Sequence, residues 1–413
     1  MTTTAEAEGS DPADPPDRSA AHPAAPDGAD GGPGATGPDA TGDGPAGSPV
    51  RRFLVLSIRP VLLYLASRIG MTLVAAATGS DTHQSFGTVL SPWDGKWYLQ
   101  IAQYGYVTRI PPGHGDPAQS DLGFFPLLPM LTRCTHLVTG LHWTAAALLT
   151  TFALGLGAAV AVWWMLHDLY GRTGADRGTA LVFFSPGALV LSLVYTEAGT
   201  ILFVACTLLA LRRRRWVLAG LSAAVASTAD PVAAAVIVPC VVAAVLAIRR
   251  RHEWKALLAP VLAPLGIGGF FVYLWAHTGS PFEYFRAQRA GWQGGTYFGG
   301  IPGSFAHLFA HWFADPDYAV KAVSALVAVV LLVIFFRARP PGTWIGYVVA
   351  VLAFGALSPV IGVTPRLALR GFPLLGVVGA RLPPLWFEAV LGLSALCMAA
   401  LGAMAMGGPL WTP

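Results

Sequence analysis

The chain has 413 residues, 54% of them hydrophobic and only 12% charged, with a mean hydropathy of +0.57. A soluble domain of that composition would expose too much apolar surface, so the bilayer is part of this protein's solvent. The net charge of +4 hides two regions: residues 1–50 hold nine acids against the single base Arg18, which leaves +12 on the rest. Membrane topology accounts for that surplus, and no nucleic-acid partner is expected.

Residues 1–50 are built of Ala, Gly, Pro, Asp, Ser and Thr, and lack the apolar core of a cleavable signal. Such a segment cannot offset its ordering entropy, so a disordered tail is expected there. Residues 51–413 then form a membrane domain. Apolar runs near the ~20 residues that cross a hydrocarbon core lie at about 53–78, 143–166, 255–277, 319–336, 342–358 and 385–407. The runs 178–211 and 216–248 are too long for one helix, and each has a polar break in its middle, so each predicts a hairpin.

Basic clusters set the orientation. Arg51-Arg52, Arg212–Arg215, Arg249–Arg251 and Arg337 with Arg339 belong on the cytoplasmic side. One topology satisfies all four, with the tail inside and two large outer loops at 79–142 and 278–318. In it Phe124–Leu141 is re-entrant or interfacial, because a full crossing would break the parity. The breaks Tyr195-Thr196-Glu197 and Ser227–Pro231, and the segment Ser358–Arg370, then share the outer face. Ionisable groups are costly near lipid, so their gathering on one side predicts a functional face.

In the first outer loop, Pro92 is predicted to open a short helix with Trp93, Trp97, Ile101 and Tyr104 on one face, suited to lying on the membrane surface. Asp94 and Tyr98 fall on the neighbouring stripe, which would hold a carboxylate beside a phenol, a good place for a general base. Ser91 and Asp94 also have the Ser-x-x-acid spacing of a helix cap, so capping and catalysis both stand. Glu197 sits between two apolar halves and needs a partner. Asp230 precedes Pro231 and can equally end a half-helix. Arg366 and Arg370 oppose the positive-inside trend, which points to an anionic partner such as phosphate. Cys134, Cys206, Cys240 and Cys397 are isolated in apolar stretches, and His307 with His311 forms no ligand cluster, so neither metal nor disulfide is expected.

The motif WDGKWYLQIAQYGY (Trp93–Tyr106), followed by FFPLLP, resembles the signature of the PIG-V family of mannosyltransferases, a branch of the GT-C membrane glycosyltransferases. VYTEA (Val194–Ala198), SPFEYFRAQRAGW (Ser280–Trp292) and TPRLALRGFPL (Thr364–Leu374) are similar to further family segments, together covering most of 53–381. The chain departs from the pattern at Asp230, where the family commonly has a basic residue.

The resemblance implies a bacterial member with an all-α, GT-C-like bundle of roughly 10 to 12 transmembrane or re-entrant helices and an outer-face active site. It implies inverting transfer of mannose from a polyprenyl-phosphate donor to a lipid, glycan or protein acceptor, with the donor as substrate and no cofactor. Asp94 matches the family's catalytic acid. Arg366 and Arg370 are then expected to hold the donor phosphate, with Trp93, Tyr98, Tyr195, Glu197, Gln288 and Trp292 binding substrate or supporting the site. The alternative is a polytopic transporter or lipid flippase, which would instead place ionisable groups near the membrane midplane.

Overall fold

A computed structural model describes residues 49–110, 118–292, 306, 309–311, 313, 314, 316–357 and 364–408. Residues 1–48 of the predicted tail, His307 and residues 358–363 lie outside these, while Pro49 and Val50 are helical. Every regular element among the described residues is helical. Six helices are long and apolar enough to cross a membrane, or seven if one bent pair counts as a span, and three shorter apolar helices accompany them. The chain is an all-helical, polytopic integral membrane protein.

The chain opens with α1 (Pro49–Thr82) and the single turn α2 (Phe86–Leu90), followed by α3 (Asp94–Tyr104) and α4 (Leu127–Thr139). With 13 residues, α4 is too short to cross, as its prolines suggested. Next comes α5 (Trp143–Phe183), 41 residues interrupted at Gly171, whose φ of 65° lies outside helical geometry. The expected turn between a span and a hairpin falls there.

The first predicted hairpin is more sharply broken than its composition suggested. A 3₁₀ helix, Pro186–Ser192, meets α6 (Glu197–Arg212) at 108°, so its first arm is the end of α5 plus this turn. The second hairpin runs through α7 (Trp216–Ala226), a break at residues 227–231, a 3₁₀ turn (Val232–Val236) and α8 (Ile237–Arg251). Pro264 separates α9 (Leu258–Leu262) from α10 (Leu265–Thr278), and α11 (Glu283–Trp292) follows. The late helices are α12 (Pro316–Arg337), α13 (Gly342–Leu357), α14 (Pro365–Arg370), α15 (Phe372–Arg381) and α16 (Pro384–Gly407). The span expected at 342–358 is helical as far as the described residues run, over Gly342–Leu357.

Apolar helices gain little from one another by the hydrophobic effect inside lipid, so close backbone approach at small residues holds them together. A Cβ on Gly178 of α5 would lie 2.4 Å from the carbonyl oxygen of Gly376 in α15. A Cβ on Gly187 would lie 2.1 Å from the carbonyl oxygen of Pro365, at the start of α14. The 3₁₀ turn therefore seats α14 directly. Gly187→Ala is expected to force these backbones apart and cost about 1–3 kcal/mol, read as a lowered thermal midpoint in detergent; an unchanged midpoint would contradict the contact.

Arg68, inside α1, is the polar group that reading the chain passed over. Its guanidinium is buried and donates to the carbonyls of Ala188 (2.9 Å) and Phe183 (3.4 Å) and to the Ser192 hydroxyl (2.7 Å). These acceptors lie at the end of α5 and along the 3₁₀ turn, so one cation ties the first span to the broken helix.

The two ends of α6 are chemically distinct. Glu197 and Arg212 are about 22 Å apart along the axis at 1.5 Å per residue. At the Arg212 end, Arg59 pairs with Asp176, and Arg213 pairs with Asp168 at 3.2 Å. A second charged cluster, built on Glu197, occupies the other end.

Candidate active site

Two breaks in the helical chain lie at the Glu197 end, and a backbone hydrogen bond fastens each to a neighbouring segment. The Val194 N–H donates to the Leu90 carbonyl at 3.0 Å, fastening the first break beside the loop that starts α3. The Leu127 N–H donates to the Thr228 carbonyl at 3.0 Å, fastening the second break to α4. Broken helices leave backbone groups unpaired, and here neighbouring segments supply partners for them.

Asp94 is the first residue of α3, and the capping geometry expected of it is not formed. The Ser91 hydroxyl donates to the Gly87 carbonyl at 2.7 Å instead, and α3 starts after Trp93 rather than at Pro92. Trp93 has φ 42°, an unusual value for a bulky residue, and packs partly buried against the core. This kink turns the Asp94 carboxylate toward α14. The aromatic face of α3, expected to be free for a membrane surface, is largely covered by protein. Ile101 is buried, Trp97 stacks on Phe124, and Tyr104 alone of the four is exposed. Protein surfaces cover α3 because α4 and α5 pack on it and Trp292 of α11 meets Trp97.

Five charged groups form one connected cluster. Arg366 donates through Nη1 to Asp94 at 3.2 Å and through Nε to Glu197. Arg370 Nη2 lies 2.9 Å from Glu197 and 3.5 Å from Asp230. The Thr200 hydroxyl and the Ala233 N–H each donate to Asp230 at 3.0 Å. Asp230 thus both caps the following turn and balances Arg370. Arg366 also lies over the Tyr195 ring, 4.5 Å from its centroid. Burial opposes the charge on Arg366, but Glu197 and Asp94 together outweigh it and hold its pKa well above the ordinary value. For Tyr98, burial first and the Asp94 charge second push the phenol pKa upward, keeping the hydroxyl protonated.

The cluster opens into a cavity of about 200 Å³ whose wall includes Asp94, Tyr98, Gln288, Trp292, Arg366 and Arg370. Six of the nine residues singled out from the sequence therefore share one space. Trp93, Tyr195 and Glu197 do not line it. Glu197 is fully buried behind the two arginines, and Tyr195 lies beneath Arg366, so both support the site from within. Gln288 Nε2 donates to the Gly123 carbonyl at 2.8 Å, which fixes α11 against the loop before α4.

Sequence reading missed Tyr284, Phe124 and Thr364, which also line the cavity, and Thr200, which supports Asp230. It left Asp230 open between ending a half-helix and a functional role, and in the structure Asp230 both accepts from the Ala233 N–H and pairs with Arg370 on the cavity wall. Among the described residues, no three potential metal ligands come together.

No family model matches the chain, and no curated protein does, so the PIG-V resemblance rests on its short motifs. Solved structures with some likeness include ArnT from Cupriavidus metallidurans bound to undecaprenyl phosphate, with TM-score 0.48 and 16% identity over 81% of this chain and 62% of that one. The apo state of the same ArnT has TM-score 0.46 and 16% identity, over 74% of this chain and 56% of that one. The Archaeoglobus fulgidus oligosaccharyltransferase tethered to an acceptor peptide has TM-score 0.42 and 12% identity, over 83% and 55%. The chain thus spans less than two thirds of the length of each.

Proposed function

We propose that the protein is a membrane glycosyltransferase that moves a sugar, mannose by the motif resemblance, from polyprenyl phosphate to an acceptor hydroxyl with inversion. The cavity end faces the extracytoplasmic side, and the basic end the cytoplasm. One observation carries the reading: Asp94, which matches the family's catalytic acid, stands on the cavity wall 3.2 Å from Arg366, whose fork suits a phosphate.

In this reaction the acceptor hydroxyl gives its proton to Asp94, its oxygen bonds to the sugar's anomeric carbon, and the carbon–oxygen bond to phosphate breaks. The electron pair leaves on the lipid phosphate. Because phosphate is already a good leaving group, the chemistry asks for a positioned base and nearby cations. The donor is a substrate, and no cofactor enters the scheme. Asp230 adds a carboxylate where the family commonly has a base, which bears on donor or acceptor choice. Acceptors of lipid, glycan or protein type all present the required hydroxyl.

The test incubates purified protein with radiolabelled polyprenyl-phosphate-mannose and a native lipid extract. Label appearing in a new product is the expected result. A second reading, transport or flipping of a lipid, draws on the 108° break in the helix pair, since broken helices line transporter sites. Unmodified donor crossing the membrane of proteoliposomes, with no labelled product, would favour it and sink the enzyme.

Arg366→Lys keeps the charge that balances Glu197 but loses the planar fork. It is expected to raise the KM for the lipid donor about tenfold while the acceptor KM stays within about twofold. A defect confined to the acceptor would remove Arg366 from the phosphate site.

A further inference from the structure

The cluster holds three carboxylates against two guanidinium groups, so it carries one negative charge in excess before any substrate arrives. A sugar phosphodiester brings one more. Arg366 Nη1 is the atom that holds Asp94, so a donor phosphate that takes this edge of the guanidinium must replace a carboxylate.

The structure shows which contact is loosest. Glu197 is fully buried and held by both arginines. Asp230 is buried and held by Arg370, Thr200 and the Ala233 N–H. Asp94 differs from both: its side chain is 29% exposed, and among the described residues Arg366 is its sole hydrogen-bond donor. Arg366, by contrast, is anchored through Nε to Glu197 and stacked over Tyr195. The guanidinium stays in place while its Nη1 edge can change partners.

We propose, resting on the glycosyltransferase reading, that Asp94 and the donor phosphate compete for this edge of Arg366. The seated donor displaces Asp94, which turns to the acceptor hydroxyl, so the base is uncovered only when a sugar is in place to be transferred. As the acceptor oxygen bonds to the anomeric carbon, its proton passes to Asp94. The electron pair of the broken bond stays on the phosphate held by Arg366. The lipid phosphate then has one more negative charge and faces a neutral Asp94. Loss of the Asp94 proton to water restores the competitor and helps expel the product.

The test measures binding of undecaprenyl phosphate, without sugar or acceptor, to purified wild type, Asp94→Asn, Asp94→Ala and Asp94→Glu. Competition predicts that the Asn and Ala variants bind about tenfold more tightly than wild type, since one rival anion is gone, while the Glu variant stays close to wild type. Tighter binding in either folded neutral variant supports the proposal. Equal or weaker binding overturns the competition but leaves the enzyme reading standing. Failure of all four proteins to bind the lipid phosphate overturns the glycosyltransferase reading itself.

Discussion

Asp94→Asn is expected to lower sugar transfer by roughly 10²–10⁴-fold, the usual contribution of a positioned general base, while the protein unfolds at nearly its normal temperature. The separation of the two effects follows from the geometry. Asp94 is partly exposed and makes one charged contact, and pairs of that kind contribute about 0–1 kcal/mol. The capping role that would have tied it to stability is absent, because the Ser91 hydroxyl bonds to Gly87. Initial rates of label transfer and a thermal melt on the same preparation check both halves. Activity near wild type would remove Asp94 from catalysis, and loss of folded protein would make it structural.

Glu197→Ala should do the reverse. Glu197 is buried against Arg366 and Arg370, and its removal leaves two guanidinium groups facing each other with less negative charge between them. Breaking a buried pair in this way costs about 3–5 kcal/mol, so a large fall in folded yield and melting temperature is expected. Glu197→Gln, which keeps the shape but not the charge, should fall between the two. A Glu197→Ala protein as stable as wild type would show that the cluster is not charge-balanced as described. Two carboxylates that touch the same arginine thus carry opposite burdens, one chemical and one structural.

Much of the arrangement could be read along the chain. The apolar runs, the polar breaks at 195–197 and 227–231, and a segment within 124–141 that does not cross follow from length and composition, which a bilayer enforces strictly. Partner choice could not be read in this way. Asp94 and Arg366 are 272 residues apart, and no local period encodes their contact. The face of α3 was misjudged because in a membrane protein both the lipid side and the protein side of a helix are apolar, so periodicity does not tell them apart. Tyr284, Phe124 and Thr364 sit in motifs that were noticed, but which side chain of a motif meets a cavity depends on neighbours from elsewhere in the chain. Thr200 carries no signal beyond being a hydroxyl in an apolar helix, and Arg68 was concealed by the hydrophobicity of its surroundings.

Arg68 also has a consequence for the order of synthesis. Its acceptors Phe183, Ala188 and Ser192 follow it by 115, 120 and 124 residues. A charged residue at the middle of a newly inserted helix costs roughly 2.5–3.5 kcal/mol until it is satisfied. At about 5–20 residues per second the ribosome needs roughly 6 to 24 s to deliver those partners. During that interval the first helix is an unfinished insertion, with its cation waiting at the bilayer for carbonyls not yet made.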